Sequence, residues 1–268
     1  MSRPDIADAL VRLDDLTRRL RTECPWDREQ DERTIVPHTL EEAYELADAA
    51  QRRDDAKLLD ELGDVLFQVH FLSLLMEERG AGDLAAVAEH CRQKLIRRHP
   101  HVFGEVEADT AGQVLRNWDR IKQGEAGREP GIFGEVPENL PGPLYARKVQ
   151  RRAAVSGFDF QSVEAPVASV REELAEVEAA AESGDQDARF AEVGDLLFAA
   201  VSVARKLRVD PELALRASAD RFRDRVESAS RLAADDGEVW EELSEARQQH
   251  HYDQARAAAR RTADQGDR

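Results

Sequence analysis

Carboxylates recur along this chain at spacings that could assemble a metal centre. Glu42 and Glu45 stand three residues apart, and so do Glu61 and Asp64 further on. Residues three apart on a helix share a face, so each pair would project its oxygens to one side. If the two helices pack antiparallel, as a short connection between them requires, the four carboxylates converge on one point. Unneutralised, they would repel one another and their pKa values would rise. A hard divalent cation relieves that repulsion, and an all-oxygen shell suits Mg2+ or Mn2+. The arrangement then returns, for Glu41, Glu42, Glu45, Glu61 and Asp64 fall on Glu172, Glu173, Glu176, Glu192 and Asp195 at a constant offset without a gap.

An EExxE step alone is an ordinary solvated helix face in a chain with 35% charged residues. The second half weighs against that reading. There the sequence FAEVGDLLFAAVSVA is apolar on nearly every side, and acids within it cannot all reach water cheaply. Gly63 and Gly194 lie inside these helices at a cost of roughly 1 kcal/mol each relative to Ala, and close helix approach beside the acids is the expected compensation. A di-iron bundle would need a Glu-x-x-His step on two helices. None of the seven histidines stands three residues after an acid.

Cationic pairs follow each acidic set. Lys94 and Arg98 lie one turn apart ahead of His99 and His101, and Arg221 and Arg225 repeat the step in the second half. Such a pair facing an acidic metal site is what a triphosphate tail requires, the alternative being a basic helix face making surface ion pairs. Trp118 and Lys122, also one turn apart, could stack a base and hold a phosphate. The second half keeps a tryptophan at Trp240 but has Ser244 one turn later. Cys24, Pro25, Trp26 and Asp27 form a compact loop from which Trp26 is expected to pack on the core, and GFDF, Gly157 to Phe160, occupies the equivalent place in the second half.

The elements that position these residues read as helices throughout. Alternating β-branched or aromatic runs are missing, and only 6% of residues are aromatic. Apolar residues recur at three- and four-residue steps through Ile6, Leu10, Leu13, Leu16 and Leu20, and again through Leu58, Leu62, Val65, Val69 and Leu72. Thr39 with Glu42 has the capping-box spacing, which predicts a helix from there to about Gln51. Glycine and proline crowd the stretch between Gly124 and Pro143. The fold class is therefore all-α, with a helical domain over 1–124, a linker over 125–143, a second domain of the same fold over 144–250, and a polar tail over 251–268 read as a solvated helix or frayed end.

Composition limits the partners. Lys and Arg total 38 against 55 Asp and Glu, a formal charge of −17, which speaks against a nucleic-acid or anionic-membrane binder. Two cysteines without zinc-type spacing, no apolar leader and no apolar run long enough to cross a bilayer lead us to expect a soluble cytoplasmic protein.

With these residues in hand, the chain resembles the MazG family of nucleoside triphosphate pyrophosphohydrolases in its two-domain form. The resemblance rests on CPWD, TLEEAYEL, ELGDVLFQV and KLIRRHPHVF in the first half, and on RRAAVSGFDF, EELAE and EVGDLLFA in the second. It implies two repeated helical-bundle domains, a homodimer that completes the site, and Mg2+-dependent hydrolysis of nucleoside triphosphates to monophosphate and pyrophosphate with little regard for the base. Matched to the motif, Glu42, Glu45, Glu61 and Asp64 are the expected metal ligands of the first domain, and Glu173, Glu176, Glu192 and Asp195 those of the second. Lys94, Arg98, Arg221 and Arg225 would hold phosphates, and Trp118, Lys122 and Trp240 would line the nucleotide pocket. Glu41 and Glu172, beside the ligands, are the candidates for orienting the attacking water or accepting its proton. Two rivals remain at this point: a non-catalytic, metal-stabilised helical module that binds nucleotides or a protein partner, and a hydrolase selective for dUTP or oxidised nucleotides.

Overall fold

The structure is a computed structural model, and it describes residues 3–123, 131–134, 136–137 and 139–266. Among them there are helices and turns and no strand. Two compact units partition the chain, Met1–Arg128 and Glu129–Arg268.

The first unit comprises α1 (Arg3–Glu23), the short α2 (Pro25–Glu29), α3 (Glu32–Arg52), α4 (Asp55–Glu78), α5 (Leu84–Arg98), the short α6 (Pro100–Phe103) and α7 (Ala111–Gln123). Helix α3 begins a full two turns before the predicted start. Its N-cap is Asp31, whose carboxylate accepts from the Arg33 and Thr34 amides while the Thr34 hydroxyl accepts from the Asp31 amide, so the capping box exists but lies eight residues upstream. Thr39 is interior to the helix, where its hydroxyl donates to the Ile35 carbonyl at 3.3 Å. The helix ends at Arg53, a residue in the left-handed conformation, and α4 starts at once behind the Asp54 cap. That two-residue turn forces α3 and α4 antiparallel. Their shared core is Ile35 from α3 with Phe71 and Leu75 from α4, flanked by Phe67 and Leu72. Arg18 and Arg21 of α1 pair with Glu77 and Glu78 at the far end of α4. Trp26 does not pack on this core: it is half exposed, with its ring edge-on to His38, and the segment expected as a compact loop is the short helix α2, whose buried member is Asp27.

The second unit comprises α8 (Gly142–Val155), α9 (Glu164–Ser183), α10 (Gln186–Lys206), α11 (Pro211–Asp235), a 3-10 turn at Trp240–Glu242 and α12 (Glu245–Gly266). Gly184, at φ 76°, and Asp185 turn α9 directly into α10, which repeats the hairpin of α3 and α4. Small residues fill the core, among them Ala180, Ala199, Ala229, Ala233 and Ala255. The stretch from residue 251, expected as a solvated helix or frayed end, is part of helix α12, which the fully buried His251 and Ala255 anchor. His251 Nε2 meets Glu238 Oε2 at 2.7 Å, and Arg247 bonds both oxygens of Glu238, which fastens α12 to the end of α11. A charged composition hid this because one buried imidazole and a few alanines suffice for helix packing.

Candidate metal centres and their surroundings

The α3–α4 hairpin brings together oxygens of Glu42, Glu61 and Asp64 within 4.8 Å of one another, and the second unit does the same with Glu173, Glu176 and Glu192. Each set draws on both helices of its hairpin, as the spacing predicts. Glu61 is the buried member, 3% exposed, whereas Asp64 and Asp195 stand exposed. The second-half acids, expected to be unable to reach water together, are more open than that in one copy of the chain, Glu192 being half-buried and Asp195 exposed; the buried acid is Glu61 of the first half. In one copy of the chain the apolar faces of α4 and α10 are themselves open, with Leu59, Leu62, Leu66, Phe190, Val193 and Leu197 exposed. Gly63 and Gly194 depart from expectation for the same reason, since a Cβ built on either would meet nothing within 4 Å. Among the described residues, no close helix approach explains them.

Crowding leaves its mark on protonation. The Glu42 carboxyl is pushed above the ordinary range by partial desolvation first, then by Asp64, Glu45 and Glu61. Glu173 and Glu192 are pushed up likewise, by desolvation and then by Glu176 and the other acids of their set. A divalent cation among these carboxylates would relieve that crowding. The donors are all oxygens, so the residues present fit a hard ion such as Mg2+ or Mn2+.

Two predicted ligands stand slightly apart. Glu45 is outside the close set, with Oε2 3.5 Å from the Lys57 ammonium, and that same ammonium reaches Glu61 Oε1 at 2.7 Å. Asp195 lies at the rim of a cavity together with Glu173. Glu41, beside the first set, is largely exposed and 3.3 Å from His38 Nδ1, and Glu172 is exposed on α9. Lys94 and Arg98 follow one another on α5, and the Arg98 guanidinium lies 5.4 Å from the centroid of Trp118 on α7, with His99 edge-on to the same ring at 4.8 Å. Lys122 sits one turn beyond Trp118, half-buried. Arg221 and Arg225 share α11, and Trp240 occupies the turn before α12, where its carbonyl accepts from Gln248.

The sequence reading passed over Lys57, although its four-residue step to Glu61 was legible as a helical ion pair. At the matching position of the second half stands Ala188. The reading also passed over the cavity of the second unit, about 510 Å3, lined by Phe133, Phe158, Phe160 and Phe198 as well as by Glu173 and Asp195. Aromatic residues scattered over three separate segments give no periodic signal, so this feature emerges only from the fold.

A profile of the MazG nucleotide pyrophosphohydrolase domain matches residues 30–103, the stretch that carries the first acidic set together with Lys94 and Arg98. The nucleoside triphosphate pyrophosphohydrolase of Escherichia coli (strain K12) is 39% identical over 236 residues, covering 82% of this chain and 90% of that protein. The chain belongs to the MazG family. Another MazG relative, the nucleoside triphosphate pyrophosphohydrolase/pyrophosphatase of Thermotoga maritima, is 39% identical over 221 residues, covering 82% of this chain and 84% of its own length. The nucleoside triphosphate pyrophosphohydrolase of Mycobacterium tuberculosis is 30% identical over 167 residues, covering 62% of this chain and 50% of that protein. An alignment spanning 82% of the chain necessarily runs through Glu172–Asp195, so the likeness to MazG proteins extends beyond the first acidic set.

Proposed function

We propose that this chain hydrolyses nucleoside triphosphates to the nucleoside monophosphate and pyrophosphate, with Mg2+ as the working ion, Mn2+ as a substitute, and broad tolerance for the base. The observation that carries the reading is the pair of carboxylate sets, each gathered from two antiparallel helices, in a chain whose relatives from Escherichia coli and Thermotoga maritima bear that activity in their names. In this reading Glu42, Glu45, Glu61 and Asp64 hold the ion of the first unit, and Glu173, Glu176, Glu192 and Asp195 that of the second. A divalent ion bound there offsets phosphate charge and acidifies water. Lys94 with Arg98, and Arg221 with Arg225, bind phosphate oxygens. Trp118, Lys122 and Trp240 hold the nucleoside and its nearest phosphate. Glu41 and Glu172 orient the water that attacks the α-phosphorus as pyrophosphate leaves.

A second copy of the chain belongs to this reading. The open apolar faces of α4 and α10, with Gly63 and Gly194 set in them, support a homodimer that covers these faces. The formal charge of −17 supports a small-molecule partner rather than nucleic acid. Among the described residues no helix is long and apolar enough to cross a membrane, and we assign the enzyme to the cytoplasm.

The test is pyrophosphate release from the eight common NTPs and dNTPs with Mg2+, for wild type, Glu61→Ala, Glu192→Ala and the double variant. Release from most of the eight, abolished in the double variant, is the expected result. Loss in one single variant assigns the work to that unit, and release from one nucleotide alone points to a narrow hydrolase. Absence of release with any divalent ion would overturn the proposal in favour of a binding module.

A further inference from the structure

Lys57 stands where helix chemistry disfavours it. It is the third residue of α4, its amide bonded to the Asp54 cap at 3.0 Å, so a cation occupies the positive end of the helix dipole. Its four-residue pair with Glu61 also runs in the weaker sense, with the cation ahead of the acid. Helix stability therefore does not account for this residue, whereas its contacts do. The ammonium lies 2.7 Å from Oε1 of the buried Glu61 and 3.5 Å from Oε2 of Glu45. It thus spans both helices of the hairpin and joins two acids of the proposed ion site.

The second unit repeats the arrangement without that cation, because Ala188 takes the place of Lys57. The acids differ accordingly. Glu176, the counterpart of Glu45, gathers with Glu173 and Glu192 within 4.8 Å, whereas Glu45 stands outside the close set of Glu42, Glu61 and Asp64 and faces Lys57 instead. The same carboxylate joins the set where the matching residue is alanine and turns to the ammonium where it is lysine.

We propose that Lys57 is a tethered competitor of the divalent ion: it holds Glu61 and Glu45 against the ion, so that the first unit binds Mg2+ or Mn2+ more weakly than the second. This deepens the proposed function and rests on it, since the acids are taken there as the ligands of the ion. For Glu61 and Glu45 to serve as ligands, the ammonium must give them up. Its side chain is half exposed and flexible, so it can withdraw into solvent, and that exchange is what weakens the site. Even screened as in bulk water, a unit charge a few ångströms from a dication changes an equilibrium constant by about tenfold. The two units then load in sequence as the ion concentration rises, the second before the first.

Titration of the full chain with Mn2+, the free ion being read from its paramagnetic resonance signal, tests this without substrate. Wild type should show two classes of site about tenfold apart in Kd. Glu61→Ala should remove the weaker class and Glu192→Ala the tighter, which assigns each to its unit. Lys57→Met, which keeps most of the side chain and removes the charge, should tighten the weaker class about tenfold, so that the two merge. Ala188→Lys should weaken the tighter class by a similar factor. The two substitutions test one claim from opposite sides, so a variant that fails to fold leaves the other decisive. Wild-type sites of equal affinity overturn the proposal, as does a weaker class that belongs to the second unit. A folded Lys57→Met protein that binds Mn2+ no more tightly than wild type overturns it too, and so does a folded Ala188→Lys protein with an unchanged tighter class. Failure of Mn2+ to bind at all refutes the ion sites and with them the proposed function, whereas ion binding indifferent to residue 57 refutes only the role of Lys57.

Discussion

Replacing Phe71 by Ala should unseat the first acidic set without touching it. Phe71 is fully buried on α4, packed with Ile35 of α3 and with Leu75, its ring 5.9 Å from that of Phe67 and capped by Arg21 at 5.8 Å. Truncating a phenylalanine in such a place removes its transfer free energy and leaves a void, together about 3–5 kcal/mol. For a unit of this size each kcal/mol moves the midpoint by about 4 °C, so the first unit should melt about 12–20 °C lower. Phe71 lies seven residues after Asp64, two turns along the helix, and is the contact that holds α3 against α4. Glu42 comes from one of those helices and Glu61 and Asp64 from the other, so the integrity of the ligand set depends on this contact. Calorimetry with and without saturating Mg2+ measures it. An ion held at about a hundred times its Kd should return about 2.7 kcal/mol. Phe71→Leu, which keeps most of the volume, should lose about 1 kcal/mol and retain full pyrophosphate release at low temperature. A loss below 1 kcal/mol in Phe71→Ala, or loss of ion binding in a variant as stable as wild type, would refute this account of how the site is held.

Protonation supplies two more expectations. Glu42, Glu173 and Glu192 have carboxyls raised in the folded state, so from the ordinary value of about 4.3 upward the folded chain binds more protons than the unfolded one, and their contribution to stability, full at low pH, is lost as pH rises. The ion-free protein should therefore gain more Tm from added Mg2+ at pH 7.5 than at pH 5, and equal gains at both would count against a shared site. Asp159 behaves oppositely: burial alone would raise its carboxyl, but hydrogen bonds from Arg205 and Lys206 hold it down to about 2. Its stabilisation is present at neutral pH and fades as pH falls toward that value, so Asp159→Asn should cost on the order of 1–2 kcal/mol at pH 7, with the gap from wild type closing in acid. A gap that does not change with pH would assign the loss to packing of the GFDF loop instead.

How much of this was legible in the sequence depended on the range of the interaction. Helical period and the internal repeat were local and regular, and they led to the all-α fold and to hairpins carrying acids on both arms. The start of α3 was misplaced because Thr39 with Glu42 and Asp31 with Thr34 both have cap-like chemistry, and Pro37 lies inside the helix, beyond the unpaired first-turn amides, at the cost of one backbone hydrogen bond. The surroundings of the acids were misjudged for a different reason. An apolar helix such as FAEVGDLLFAAVSVA shows that something covers it, but not whether the cover comes from the same chain. In one copy it stays open at Phe190, Val193 and Leu197. Lys57 was passed over for a third reason: it gains meaning only from one partner atom, Glu61 Oε1.

The repeat itself bears on how the two units divide the work. Acid spacing is identical in both; what differs is the surroundings of the two sets. Lys57 places a cation against Glu61 and Glu45, and Ala188 offers none at the matching position. A carboxylate set with a built-in ammonium is partly neutralised by the protein itself, and at the position matching Lys57 the second set has only Ala188. Conversely, the second unit owns a cavity lined by phenylalanines together with Glu173 and Asp195. If both sets hold an ion as proposed, two sites with the same acids but different counter-charge and lining should differ in ion dependence and in nucleotide preference. Activity lost in Glu61→Ala and in Glu192→Ala should therefore be compared substrate by substrate, because a total rate would average two unlike pockets into one.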